Sequence, residues 1–378
     1  MKQWILFLLF FTVLQTSAQE KRLLKAQELY AAEQPEKALK QIKKVLQHKE
    51  TKNSPQAHLL QAKIWLALQD DPEYPKALLD ALKSAEKALR KTKTPEELKA
   101  EESDFFQQLI DASMQAAEAD LSNARFIQSD KYYSKLYELF GYLPAQWGQA
   151  QIALALKDSI TAIRISRDLV SQLSTVENPS ASLSHPGPYA LLVEHQIQQK
   201  QYDSASFYAQ KGFDQYPNHA AIKGLLLKSF LLFVTQSKPD LKTLELFAHM
   251  RPIFRNDSLF IHKENVLFLY LMNRYSAGDE HHIADSVLAG FVQIKNDYYA
   301  EFGEDYRRKD PIYNPDNNAF LFNLIRYTAK HERIYMMAML LDNYVSGNYA
   351  DSAFKASTRP GRWKGLFERV LEEKSIFL

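Results

Sequence analysis

Apolar residues recur at helical spacing along most of the chain and stop at short polar or proline-containing breaks. From Lys21 to His48 they follow this spacing on both sides of a break at Gln34-Pro35. Proline suits the first turn of a helix and disrupts a helix interior, so this segment predicts a helix, a tight turn and a second helix. Similar breaks predict further helix pairs, at residues 70–72, 157–159, 200–204 and 347–352. No stretch alternates apolar and polar residues for long enough to predict a strand.

Composition supports a helical fold and excludes several classes of chemistry. Only 11 of the 378 residues are glycine. This share of about 3 % is less than half of the roughly 7 % in average usage. The 47 basic and 45 acidic side chains give a net charge of +2, which argues against a nucleic-acid partner. The chain has no cysteine, so it forms no disulfide, no thiolate metal site and no cysteine nucleophile.

The first residues have the form of an export signal. Lys2 precedes an apolar run over residues 4–14, and the small residues Ser17 and Ala18 follow. The run is shorter than the roughly 20 residues of a membrane-spanning helix. We therefore expect residues 1–18 to be a signal peptide and the mature chain to be periplasmic or secreted, with no membrane span. The residues around the expected cleavage site, Ser17-Ala18-Gln19, resemble those of exported Bacteroidota proteins.

Small residues mark where paired helices should touch. In the clearest copy, Tyr202 is an aromatic residue, Ala205 is small, and Pro217 follows twelve residues later. Two other copies have small residues twelve positions apart: Ala26 with Ala38 and Ala150 with Ala162. These spacings resemble the tetratricopeptide repeat (TPR) family, whose unit has about 34 residues. The period is irregular, and residues 116–144 do not fit the repeat without gaps.

The resemblance implies an all-α fold, a right-handed α-solenoid of antiparallel helix pairs. We expect TPR-like repeats over residues 19–217 and a degenerate continuation of helical hairpins over 218–378. Two prolines at 309–317 indicate a turn. The alternative to one continuation is a second subdomain that begins after residue 310. Residues 363–377 are amphipathic and predict a helix that caps the C-terminal end of the stack.

The resemblance also implies a function without catalysis or a cofactor. TPR arrays bind peptides or partner proteins in a groove lined by the first helix of each pair. The positions that match the family's groove positions are polar or aromatic: Gln27, Tyr30, Trp147, Gln151, Glu194 and Gln198. We therefore predict a protein interaction scaffold of the cell envelope.

Two other functional classes stay open, a glycan-binding helical protein and an enzyme on a helical scaffold. An aromatic cluster between residues 298 and 313 would suit a sugar-binding ledge or a packed helix core. The sequence lacks the serine-nucleophile and phosphate-loop motifs of common α/β enzymes. The cysteine that anchors helical glycan-binding lipoproteins of the Bacteroidota is also missing.

Several polar motifs have a structural and a chemical interpretation. His281 and Asp285 are four residues apart, as metal ligands on a helix would be, but a third ligand at fixed spacing is missing and we predict no metal. The basic run 37–49 predicts an amphipathic second helix. Asp-Ser-aliphatic triplets suit helix N-caps or O-glycosylation, and they begin at Asp158, Asp203, Asp257, Asp285 and Asp351.

Overall fold

The computed structural model describes residues 20–176, 182–236 and 238–277, and, further on, residues 280, 282–284, 286–291, 293, 294 and 297. Within these residues every regular element is a helix, so the all-α prediction is confirmed. The predictions for residues 1–18, 298–317, 347–352 and 363–377 lie outside the described residues.

The described helices follow one another with short connections. They are α1 (20–31), α2 (Pro35–Leu46), α3 (Pro55–Ala67), α4 (Ala77–Lys91), α5 (Pro95–Glu101), α6 (Ser103–Ser122), α7 (Phe126–Phe140), α8 (Leu143–Ala155), α9 (Ser159–Leu173), α10 (Gly187–Gln198), α11 (Tyr202–Gln215), α12 (Ala220–Val234), α13 (Leu241–Phe254) and α14 (Ser258–Ala277).

Helices that are neighbours in the chain pack together from α2 to α4 and from α6 to α11, while α4 contacts α6 past the short α5. Since each tight turn reverses the chain, the result is a series of antiparallel helix pairs. The chain divides into two compact units between Lys223 and Gly224, inside α12. The predicted boundaries at residues 217 and 310 remain predictions.

Local sequence signals explain where the helices begin. Proline occupies the first helical position of α2, α3 and α5, where no intrahelical N–H bond is lost. The Ser54 hydroxyl accepts a hydrogen bond from the Ala57 N–H, and the Asp158 carboxylate accepts one from the Thr161 N–H. Asp240 and Thr243 form a reciprocal capping box at the start of α13. Asp158 therefore acts as a helix cap in its Asp-Ser-aliphatic triplet.

One turn conformation recurs between the helices of four pairs. The second residue after the first helix is left-handed each time, with φ between 56° and 61°, at Glu33, Ala124, Lys157 and Lys200. The next N–H then bonds to the carbonyl five residues earlier, as in a Schellman motif. These bonds are Gln34 N to Leu29 O (2.9 Å), Arg125 N to Asp120 O (2.7 Å), Asp158 N to Ala153 O (2.8 Å) and Gln201 N to Gln196 O (2.9 Å).

The same two positions around each recurring turn are buried. They lie seven residues before and five residues after the left-handed residue, and they are Ala26 with Ala38, Ala117 with Ser129, Ala150 with Ala162, and Val193 with Ala205. The Ser129 hydroxyl donates to the Ala117 carbonyl at 2.8 Å. The α6–α7 pair is thus a further copy in the region that did not fit the repeat, with serine at the second small position.

Small residues allow close approach of helices inside the first unit. A Cβ atom on Gly148 of α8 would lie 2.3 Å from Cζ of Tyr133 on α7. Tyr133 is fully buried, and burial raises the pKa of its hydroxyl to about 12. Gly212 of α11 makes the same kind of contact with Ile222 and Tyr189. Larger residues at these two glycines would push the helices apart.

The second unit has its own core, built around aromatic side chains. Phe247 and Phe260 have ring centroids 5.1 Å apart, and Phe230 lies 5.0 Å from Phe247. Arg251 of α13 donates two hydrogen bonds to Oε1 of the fully buried Glu264 of α14, at 2.9 and 2.7 Å. This charged contact and the aromatic packing hold α13 against α14.

Candidate partner-binding surface

Three of the predicted groove residues occupy one equivalent position. Gln27, Gln151 and Glu194 each follow directly the first buried residue of a recurring pair, and each is exposed. Because the turn that orients the two helices is the same in these pairs, the three side chains leave their helices on equivalent sides. They form part of a repeated polar surface on α1, α8 and α10.

The corresponding residue of the α6–α7 pair is Glu118, which directly follows the buried Ala117 and is also exposed. Sequence reasoning missed it because Ser129 replaces the expected alanine twelve positions after Ala117. Glu118 can be found from the sequence if any small residue, and not only alanine, is accepted twelve positions after Ala117. We call Gln27, Glu118, Gln151 and Glu194 the first-helix row.

Tyr30 and Gln198 lie near the ends of their helices. Tyr30 is half-buried and packs against the core of the first unit, and burial raises the pKa of its hydroxyl. Gln198 is exposed at the last position of α10. Tyr30 therefore exposes only part of its ring, whereas the Gln198 side chain is exposed to solvent.

Trp147 has a different environment from the other predicted groove residues. Its side chain is only 9 % exposed, and its ring centroid lies 5.7 Å from that of His185. Gly187 packs so closely that a Cβ there would lie 2.6 Å from Cζ2 of the indole. Within the described residues the indole N–H has no hydrogen-bond partner. His185 and Gly187, around the start of α10, therefore cover Trp147, and its contact with a partner stays a prediction.

Polar contacts between pairs fix the order of the helices that carry the first-helix row. The Lys135 ammonium of α7 bonds to Glu86 of α4 at 3.1 Å. The Gln149 amide of α8 donates to the Ser134 hydroxyl of α7 at 2.9 Å. Gln172 of α9 donates to the Tyr137 hydroxyl of α7 at 3.2 Å. These contacts hold neighbouring pairs in register, which a repeated binding surface requires.

Burial favours the neutral form of two histidines of the first unit. Burial lowers the pKa of His58, and the nearby Lys87 and Lys91 lower it further. Burial also lowers the pKa of His185, whose Nδ1 accepts a hydrogen bond from the Gly187 N–H at 3.2 Å. Protonation of either ring would therefore oppose the folded arrangement.

We expect the protein to lose stability as the pH falls below about 6.5. An unfolded histidine takes up its proton near that pH, whereas the folded His58 and His185 resist protonation, so the unfolded state binds more protons and gains relative stability. The stability is fully present above this pH. Urea denaturation at pH 7 and pH 5 measures the loss, which a His58→Gln/His185→Gln variant should reduce. If the double variant lost as much stability between pH 7 and pH 5 as the wild type, this assignment would be wrong. The control is His249→Gln, because His249 is exposed.

The described residues contain no group of three or more His, Asp or Glu side chains that could hold a metal ion. His281 and Asp285 lie outside the described residues. Among the described helices, none is both long and apolar enough to cross a membrane.

Comparison with known proteins gives structural likeness without sequence likeness. No protein-family profile matches the chain, and no curated protein matches it. The chain is similar to the structure of pilF of Pseudomonas aeruginosa, with 11 % identity over 72 % of this chain and 98 % of that one, and a TM-score of 0.24.

Two further solved structures are similar to the chain. The P58(IPK) TPR domain has 12 % identity over 94 % of this chain and 99 % of that one, with a TM-score of 0.25. The Naa15/Naa10 complex bound to HypK-THB has 12 % identity over 88 % of this chain and 64 % of that one, with a TM-score of 0.17. The TPR-like character of the described helices is carried by their recurring turns and buried small residues.

Proposed function

We propose that this protein is a non-catalytic interaction scaffold of the cell envelope, which binds a peptide or partner protein along the first helices of its pairs. The observation that carries the proposal is the first-helix row. Its four residues are polar and exposed, and each stands directly after a residue buried in a helix-pair contact. A repeated row of this kind suits an extended partner.

The row offers hydrogen bonds and charge on the first helices of four pairs. Two of its residues are amides, which both donate and accept, and two are carboxylates, which accept. A peptide backbone and basic side chains satisfy both kinds of group. The partner that fits best is therefore an extended segment with some basic residues. The envelope location rests on the N-terminal sequence, residues 1–18.

The proposal is tested by photo-crosslinking in the native cell. A photoreactive residue replaces Gln151 or Glu194 in two variants, and Asp168 or Asp214 in two matched controls. The controls are exposed residues of the second helices α9 and α11 of the same two pairs. We expect one and the same protein to crosslink from both first-helix positions and from neither control, in an envelope or secreted fraction. The mature chain in that fraction should begin at Gln19.

Crosslinks that arise only from the control positions would place the partner on the second helices and contradict the proposal. Crosslinked material that contains glycan and no protein would favour the glycan-binding alternative. A cytoplasmic protein that retains Lys2 would contradict the envelope location.

A further inference from the structure

A strongly basic cavity lies in the first unit, and no residue of the first-helix row lines it. Its volume is about 570 Å³, and its walls come from α2, the 47–54 connection, α3 and α4. The cavity is lined by five cationic side chains, which are Lys43, Lys52, Lys87, Arg90 and Lys91, and none of its lining residues is acidic. The protein as a whole is nearly neutral, so this concentration of charge is local.

Most of these cations are not neutralised within the described residues. Lys52, Lys87 and Lys91 have no carboxylate of a described residue within 4.0 Å, whereas Arg90 lies 3.6 Å from Glu86. The Lys43 ammonium lies over the Trp65 ring at 5.0 Å from its centroid. Like charges that converge without counterions repel one another, so an anion in the cavity would relieve this repulsion.

Helix dipoles account for only part of the cluster. Lys43 lies in the last turn of α2, and Arg90 and Lys91 lie in the last turn of α4, where cations interact favourably with the helix C-terminus. Lys52 is in the connection between helices, and Lys87 lies one turn earlier in α4. Neither residue is in a last turn, so the convergence of all five needs a further reason.

A buried histidine in the cavity wall supplies an independent observation. His58 is only 6 % exposed and lines the cavity. Its Nε2 donates a hydrogen bond to the Lys52 carbonyl at 2.9 Å. Its Nδ1 is buried and has no hydrogen-bond partner within 3.5 Å in the described part of the chain, although the Gln61 side chain influences the pKa of the ring. Buried polar atoms are nearly always paired. If an anion entered and offset the lysine charges, the ring could take a proton and donate it to that anion from Nδ1.

We propose that this basic cavity binds a small ligand that carries two or three phosphate groups. The volume lies within the range of about 300–1,000 Å³ that is usual for small-molecule sites. Lysines, which bind phosphate as point charges, dominate the lining, whereas carboxylates are typically held by bidentate arginine. Arg90 is the one arginine among the lining residues, and it already faces Glu86. His58 is the one aromatic ring in the lining, so recognition falls on the phosphates and not on a nucleobase.

The test is calorimetric titration of the purified protein with inorganic tripolyphosphate at low and at physiological salt. The Lys87→Ala/Lys91→Ala variant removes two cations from the cavity. The matched Lys40→Ala/Lys44→Ala variant removes two exposed lysines of α2 that do not line it. We expect at least a tenfold loss of affinity in the first variant and less than a twofold loss in the second. Helical circular dichroism should be unchanged in both.

Further arms separate the sources of the phosphate groups. Binding of ATP and tripolyphosphate with equal affinity supports recognition of the phosphates alone. The bound tripolyphosphate should also raise the melting temperature of the wild type more than that of the cavity variant.

Three results would overturn the proposal. The first is no binding of tripolyphosphate at millimolar concentration. The second is an equal loss of affinity in the two variants, which would indicate non-specific attraction. The third is binding only to vesicles that contain phosphatidic acid, which would make the cluster a contact for a lipid surface. None of these outcomes bears on the crosslinking of the first-helix row.

Discussion

Replacing Trp147 with alanine is expected to lower the free energy of unfolding by about 3–5 kcal/mol, the usual range for removing a large buried aromatic side chain. The indole is 9 % exposed and packs against His185 and Gly187. Its loss would leave a cavity between α8 and the residues that lead into α10. Urea denaturation, monitored by circular dichroism, measures the change in the free energy of unfolding.

Gln151→Ala is the control for Trp147. Gln151 lies one turn further along α8 and is exposed, so its substitution should change stability by less than about 0.5 kcal/mol. If Trp147→Ala were as stable as the wild type, the indole would not be a packing residue, and its predicted role in contacting a partner would become the better explanation. The expected loss of stability also means that Gln151, and not Trp147, is the position at which to measure partner binding.

Replacing Ala205 with leucine is expected to destabilise the protein by about 1–3 kcal/mol, because overpacking a filled helix contact forces side chains or backbone to shift. Ala205 is fully buried in α11 and stands five residues after the left-handed Lys200 of the recurring turn. At this position the second helix of the pair meets the first, so there is no room for a longer side chain. Differential scanning calorimetry measures the lower melting temperature.

Ala119→Leu is the matched control, since Ala119 is an exposed residue inside α6 and leucine is nearly as good a helix former as alanine. Equal melting temperatures for Ala205→Leu and the wild type would reject the assignment of Ala205 to the helix contact. A large loss in Ala119→Leu would show that the method responds to any added leucine.

The repeat could be predicted from the sequence where the second contact residue is alanine, and it was missed where serine occupies that position. Ala26 with Ala38 and Ala150 with Ala162 have the expected spacing, and all four are buried. Ala117 with Ser129 has the same spacing, but a serine in a helical sequence usually indicates an exposed position. Its burial depends on the hydrogen bond from its hydroxyl to the Ala117 carbonyl, which satisfies the polar group.

The sequence by itself determined the local structure of this protein. Helical spacing of apolar residues, proline at the start of helices and polar breaks between them depend on interactions within a few residues. These signals predicted the helix pairs of the first unit except α6–α7. The polar character of Gln27, Gln151 and Glu194 could also be read directly from the sequence.

Only the tertiary structure decided the environments that depend on residues far apart in the chain. His185 and Gly187 cover Trp147 from about 40 residues further along, and no local pattern shows that burial. The basic cavity collects cations from α2, the 47–54 connection and α4, each of which separately is typical of a solvated surface. Burial and electrostatic repulsion act through space, so a linear pattern predicts the helices but not which of their side chains meet.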